Sequence, residues 1–394
     1  MSANEAGEDN GHADHIFGVS SYDAPMPSQE AKTSFQPWHR PRKQFVRHHQ
    51  WCDEIQKLVG EAPPTGGVLK YLGLPGRDLL DLRHFHAAVC AEHAIKLKFL
   101  GFNRSAHPNS EAQTELNVSM DEVKRLTHVH PQSDVIGDDF EKIANDKSIA
   151  FQKACEFGPF DVINLDLCDG FAAREPGGQG PDYYKAVTQL MSLQARSPSP
   201  WLMFLTTRAD SDNIDKNVLR TFIDKYCANL TDHECFRDAS RESFAIETED
   251  CVTKATHRPD GLLQVFLTGL CKWFVGLGLE GHPPTNVELR SAFGYRVVKD
   301  APYEDLVSLA LKFIPTRQPV RDRSGLATTG VKNGPSEGKL ATRALKRIAK
   351  RIDADKVLNG DAELLMTMTT ATERLLTQAR YDATEFRKWA TQTQ

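Results

Sequence analysis

The chain has 394 residues, 40% of them hydrophobic and 26% charged, with a formal net charge of −5 at pH 7. That composition excludes a globally disordered chain, because it supplies enough apolar surface for a substantial core. The mild net acidity gives no global field for nucleic acid, so a phosphate-binding role has to come from local basic patches.

Glu5, Glu8 and Asp9 make the first residues acidic, opposite to a secretory leader. Residues 1–34 are poor in large apolar side chains and are expected to form a disordered tail. Composition changes at Phe35. The stretch 35–51 combines Arg40, Arg42, Lys43 and Arg47 with Trp38, Phe45 and Trp51, and it has no acid. Such cations neutralise phosphates while aromatic rings stack on unpaired bases. Equally, the same rings could anchor the segment to a neighbouring domain and leave the cations solvated. A helix is expected up to about Val59, ended by Pro63 and Pro64.

From Val68 the pattern alternates. Short apolar runs at 68–74, 95–103, 133–140, 160–171 and 201–210 read as strands, each followed by a segment with helical spacing. Continuous apolar strands separated by amphipathic helices indicate a parallel sheet covered on both faces. The apolar run 261–279 carries Gln264, Thr268 and Lys272, so it reads as a buried helix and not a membrane span. Two further strand-like runs, around 289–300 and 303–315, are joined by a short turn near Asp300 and Pro302. The expected fold is therefore α/β: a doubly wound, mostly parallel, seven-stranded sheet with a terminal antiparallel hairpin. Expected boundaries are a basic-aromatic segment at 35–64, a Rossmann-like domain at 65–315, a linker at 316–338 and a helical C-terminal extension at 339–394. In the run 339–352, Ala341, Leu345, Ile348 and Ile352 form an apolar stripe. Cations including Arg343 and Arg347 cover the rest, a second candidate phosphate surface.

Eight cysteines are scattered with no Cys-x-x-Cys pair. That usage points to a reducing, cytoplasmic setting and to no zinc module. The histidines also lack metal-ligand spacing.

In such a sheet ligands sit beyond the carboxyl ends of the strands. The successive strand ends carry Gly73-Leu74-Pro75-Gly76, then Asn103, then Gly137-Asp138-Asp139, then Asn164-Leu165-Asp166-Leu167-Cys168-Asp169, then Thr206-Thr207-Arg208. This layout, with the closing hairpin, resembles the class I S-adenosylmethionine-dependent methyltransferase superfamily over roughly residues 65–315. The glycine motif is atypical: it departs from Gly-x-Gly-x-Gly, and Asn103 stands where the family has an acid. The resemblance implies S-adenosylmethionine as cofactor, held by Gly73, Gly76, Asn103, Asp138 and Asp139. It implies Asp166, with Asp169 and Asn164, at the group being methylated. Cys168 leaves open a covalent route to pyrimidine C5. Capping and tight turns are competing uses for Asp138, Gly73 and Gly76. The expected function is a methyltransferase-like protein acting on or binding DNA or RNA, with no membrane role. The alternative is an inactive methyltransferase-fold subunit of a larger complex, such as one for antiviral defence. A nicotinamide oxidoreductase is disfavoured by the missing Gly-x-Gly-x-x-Gly turn.

Overall fold

The computed structural model describes residues 31–106, 109–167, 170–173, 183–297, 303–316, 324 and 335–392. The expected tail and most of the expected linker lie outside the described residues.

A helical run opens the fold. Arg40 precedes α1 (Pro41–Val46), whose first residue has the fixed φ of proline and needs no amide donor. The run continues through a wider π-turned stretch, Arg47–Cys52, into α2 (Asp53–Glu61). The alternating part follows as β1 (Val68–Gly73), α3 (Leu80–Phe85), β2 (Lys96–Phe102), α4 (Glu111–Lys124), β3 (Asp134–Ile136), α5 (Ile149–Phe157), β4 (Val162–Asp166), α6 (Tyr183–Gln194), β5 (Trp201–Arg208) and α7 (Lys216–Asp232). Next come α8 (Glu234–Phe244), α9 (Glu249–Thr256), α10 (Pro259–Glu280), β6 (Thr285–Tyr295) and β7 (Leu306–Pro315). The chain ends in α11 (Glu337–Ile348), β8 (Ile352–Asp353), α12 (Ala354–Gly360), α13 (Ala362–Gln378) and α14 (Ala383–Gln392).

One eight-stranded sheet runs in the order β3-β2-β1-β4-β5-β7-β6-β8. β1 to β5 pair in parallel, while β7 runs antiparallel to β5 and β6. This is a Rossmann-like arrangement, mostly parallel with an antiparallel end. The expected sheet had seven strands. The eighth is the two-residue β8 beside Phe293 and Gly294, which the hydrophobic pattern could not reveal at that length.

Period-two alternation divides the core. Ile163, Leu165, Met203 and Leu205 join a cluster with α6, α7, α10 and α11. Val162, Leu202 and Phe204 join a second cluster with the N-terminal helical run, α3, α4 and α13. Trp51 is fully buried there, 6.1 Å from the Phe204 ring, and its indole N–H donates to Ser308 Oγ at 3.1 Å. α10 is long and apolar enough to cross a membrane, yet it packs as a core helix: its Gly269 faces Phe222 of α7 so closely that a Cβ would clash.

Three local expectations change. The segment with helical spacing after the third strand run is split into a 3-10 turn, Phe140–Ala144, and α5. Asn145 leaves the helical region, and Ser148 then caps α5 by accepting from the Phe151 amide at 3.0 Å. The helix expected to reach Ile352 ends at Ile348, and Ile352 becomes part of an edge strand. α8 and α9 fill the stretch before α10, where no element was expected.

Candidate functional site

A cavity of about 650 Å³ opens above the carboxyl ends of β1, β2, β4 and β5. It lies where the strand order reverses between β1 and β4, which is where parallel sheets leave a natural crevice. Among the expected residues, Gly76, Asn103, Asp138, Asp139 and Asp166 line it, as do Trp38, Arg42, Lys43 and Arg47 of the basic segment.

At one end, β1 and β2 are fastened together at their tips. The Asn103 amide donates to the Pro75 carbonyl at 2.9 Å, and its side-chain oxygen accepts from the Ser105 amide at 3.0 Å. A Cβ on Gly101 would meet the Pro75 ring at 2.8 Å, so the loop after β1 can lie against β2 only because that position is glycine. Gly76 is open to the cavity. Gly73 is not among the lining residues: it makes room for the Tyr71 phenol, which a Cβ would approach at 2.6 Å. Asp138 accepts from the Asp139 amide and pairs with Lys142, while Asp139 begins the 3-10 turn. The sequence pattern did not single out Phe102, Phe140, Glu141 and Tyr183, which complete this end. Burial, and next the Asp139 charge, push the Glu141 carboxyl above its usual range; a hydrogen bond from Tyr183 works the other way.

The other end is built around Asp166. Lys43 Nζ donates to Asp166 Oδ1 at 2.6 Å and to the Tyr295 hydroxyl at 3.2 Å, and lies 4.6 Å from the centre of the Trp51 ring. Burial is the largest single influence and disfavours the Lys43 charge, but Asp166, Tyr295 and Asp81 together outweigh it and hold the ammonium above the usual lysine value. Burial pushes the Tyr295 phenol up to about 12, with Lys43 pulling against it. One turn further along the same helical run, Arg47 Nε pairs with Asp81 Oδ1 at 2.5 Å. Arg42 pairs with Asp355 of α12 at 3.0 Å. Lys43 and Arg47 were expected on a phosphate-binding surface. Each is only 3% exposed and paired with a carboxylate, and both line the cavity wall. Their i, i+4 spacing with Trp51 puts all three on the inward side of the helix, a signal the basic composition masked.

Asn164, expected beside Asp166, is 1% exposed and faces the Tyr71 phenol below the cavity. Asp169 and Cys168 lie outside the described residues. Arg40 does not line the cavity; its guanidinium sits 5.0 Å from the Trp389 ring. Arg343 and Arg347 are exposed on α11 and contribute nothing to the cavity wall.

The outer wall joins two distant parts of the chain. Lys32 bridges Tyr381 through backbone hydrogen bonds (Lys32 N to Arg380 O 2.9 Å, Asp382 N to Lys32 O 3.0 Å). Lys32 Nζ and the Tyr381 hydroxyl both reach Asp78, at 2.5 and 2.8 Å. The His39 ring is fully buried 4.9 Å from that of Tyr381. Burial, and then the Arg47 charge, lower the His39 pKa to about 4, so the ring is neutral near pH 7.

Residues 32–391 match a family model described as PP_RS20740-like. No curated protein matches the chain. Among solved structures, the chain is similar to a Listeria monocytogenes protein described as a candidate class I S-adenosylmethionine-dependent methyltransferase. Identity is 10% and the TM-score 0.36, over 73% of this chain and 66% of that one, just under two thirds of its length.

Proposed function

The chain belongs to the PP_RS20740-like family, and we propose that it binds S-adenosylmethionine and transfers its methyl group to an acceptor in DNA or RNA. The observation that carries this reading is the cavity at the β1/β4 reversal. It is large enough for a nucleoside-sized ligand and has different chemistry at its two ends.

The residues present suit that cofactor. Phe102, Phe140 and Tyr183 offer apolar ring surface beside Asp138 and Asp139, a combination suited to a purine with an exocyclic amine. Gly76 leaves backbone open to the ligand, and Asn103 stands where sugar hydroxyls would need a partner. When bound, the cofactor supplies an electrophilic methyl group on a sulfonium. The protein's part is positioning. Asp166 Oδ1 is engaged by Lys43, and the carboxylate stays partly accessible, so it can accept a hydrogen bond from an acceptor amine or amide. The Lys43–Asp166–Tyr295 contacts fix that carboxylate in one orientation. Phosphate binding would come from the exposed cations of α11, Arg343 and Arg347 among them.

The Lys43–Asp166 pair also favours a second reading. A carboxylate neutralised by a buried ammonium is a poor base. A protein that kept the crevice but lost the reaction would serve as a nucleic-acid-binding subunit of a larger assembly. Isothermal titration with S-adenosylmethionine separates the two. Micromolar binding followed by methyl transfer to single-stranded or duplex DNA or RNA supports the enzyme. Absence of heat at millimolar cofactor, with nucleic acid still bound, leaves the assembly reading.

A further inference from the structure

Among the described residues, six aromatic side chains line the cavity, and five of them are mostly buried, showing only a small part of their surface. Phe102, Phe140, Tyr183, Tyr295 and Tyr381 are 2–5% exposed, whereas Trp38 is 47% exposed. A largely exposed tryptophan forgoes the burial that normally holds this residue in place. Here the backbone beneath it is fixed instead. Pro37–His39 forms a 3-10 turn, and His39 Nδ1 accepts from the Gln36 amide at 3.2 Å. The His39 ring is packed on Tyr381, and Arg47 reaches the Trp38 carbonyl at 3.5 Å. The indole is thus presented from an anchored turn, five residues before Lys43, in the cavity wall beside Arg47. Among the described residues, the tip of β4 offers Asp166 and Leu167 to the cavity and no ring of its own.

We infer that Trp38 is the acceptor-side recognition residue: a flat, unpaired nucleobase stacks on its exposed face as the acceptor enters the cavity. This rests on the reading above that the acceptor is a nucleic acid, and it names the feature that is read, the ring and not the phosphate. Stacking on an indole is tolerant of base identity, so Trp38 selects single-stranded or extruded bases over paired ones.

The test uses the full chain and a short single-stranded DNA containing 2-aminopurine, with an abasic oligonucleotide of equal length and charge. Trp38→Ala should weaken binding of the base-containing strand about tenfold or more and remove quenching of the 2-aminopurine fluorescence. Trp38→Phe should stay within about threefold of the native protein, and the abasic strand should bind all three proteins alike. Native affinity in Trp38→Ala, or an equal loss on the abasic strand, overturns the inference. Failure of the native protein to bind either strand overturns it together with the nucleic-acid acceptor. S-adenosylmethionine titration on Trp38→Ala, expected to match the native protein, reports separately on the cofactor.

Discussion

Lys43 and Asp166 lie 123 positions apart in sequence and 2.6 Å apart in space, the first on the N-terminal helical run and the second at the tip of the central strand β4. The pair ties the helix that roofs one face of the sheet to the point where chemistry is expected. Only 4% of the Lys43 side chain is exposed, against 23% for Asp166, so the lysine depends on the carboxylate more than the reverse.

Asp166→Asn should therefore destabilise the protein as well as affect any methyl transfer. Removing one partner strands a buried ammonium, and the expected loss is about 3 kcal/mol in urea unfolding, the lower end for a buried pair because Asp166 keeps some solvent. The double variant Lys43→Met with Asp166→Asn should recover most of that stability without recovering function. An additive loss in the double variant would show that the pair is not coupled.

Acid should weaken the fold before carboxylates titrate. His39 is held down to about 4 by burial and the Arg47 charge, and His84 to about 3 by the same two causes in the same order. Above pH 6.5 both are neutral, folded or unfolded, and contribute nothing. Below 6.5 the unfolded chain takes up protons that the folded one refuses, so stability falls as pH drops from about 6.5 towards 4. For His39 the full cost is roughly 3 kcal/mol at 1.36 kcal/mol per pKa unit. Urea midpoints from pH 7.5 to 4.5 should show the decline, and His39→Gln should flatten it; an identical slope would exclude His39 as a source.

Gly137 sits between β3 and the acids Asp138 and Asp139, where a Cβ would collide with the Ala106 backbone carbonyl. Gly137→Ala should cost about 1–3 kcal/mol of stability through forced backbone movement. The displaced turn should also weaken cofactor binding in calorimetry. Normal stability with normal binding would mean the turn yields freely.

Charge reversal separates the two basic regions. Replacing both Arg343 and Arg347 with Glu, on the exposed face of α11, should reduce the slope of log affinity against log salt by about 0.9 for each duplex-DNA phosphate that is no longer neutralised. Folding should be unaffected. Arg42→Glu should instead act on stability, because it places a third carboxylate against Asp353 and Asp355. A salt slope unchanged by the α11 reversal would remove that helix from the interface.

Much of the architecture was legible because strands buried on both faces leave long apolar runs, as in Val162–Leu165 and Trp201–Leu205, with helices between them. The strand tips then identified Gly76, Asn103, Asp138, Asp139 and Asp166 as neighbours. Side-chain partnership was not legible. Nothing local says that Lys43 and Arg47, in a run of cations, turn inward to Asp166 and Asp81, because those acids are distant in sequence. Asn103 was expected among the cofactor residues, in place of the family's acid. It is also a staple between two loops, a role visible only once Pro75 is beside it. The small elements failed for lack of signal: β8 is two residues long, and the break at Asn145 interrupts an otherwise helical pattern.

Gln36 to Trp38 and Tyr381 stand in one wall, stitched by the bridge between Lys32 and Tyr381. During synthesis, the strands that form the crevice floor emerge from the ribosome well before the helical corner that closes its side. The wall is therefore completed late in biogenesis, and a nascent chain halted short of Tyr381 lacks the bridge to Lys32 that closes it.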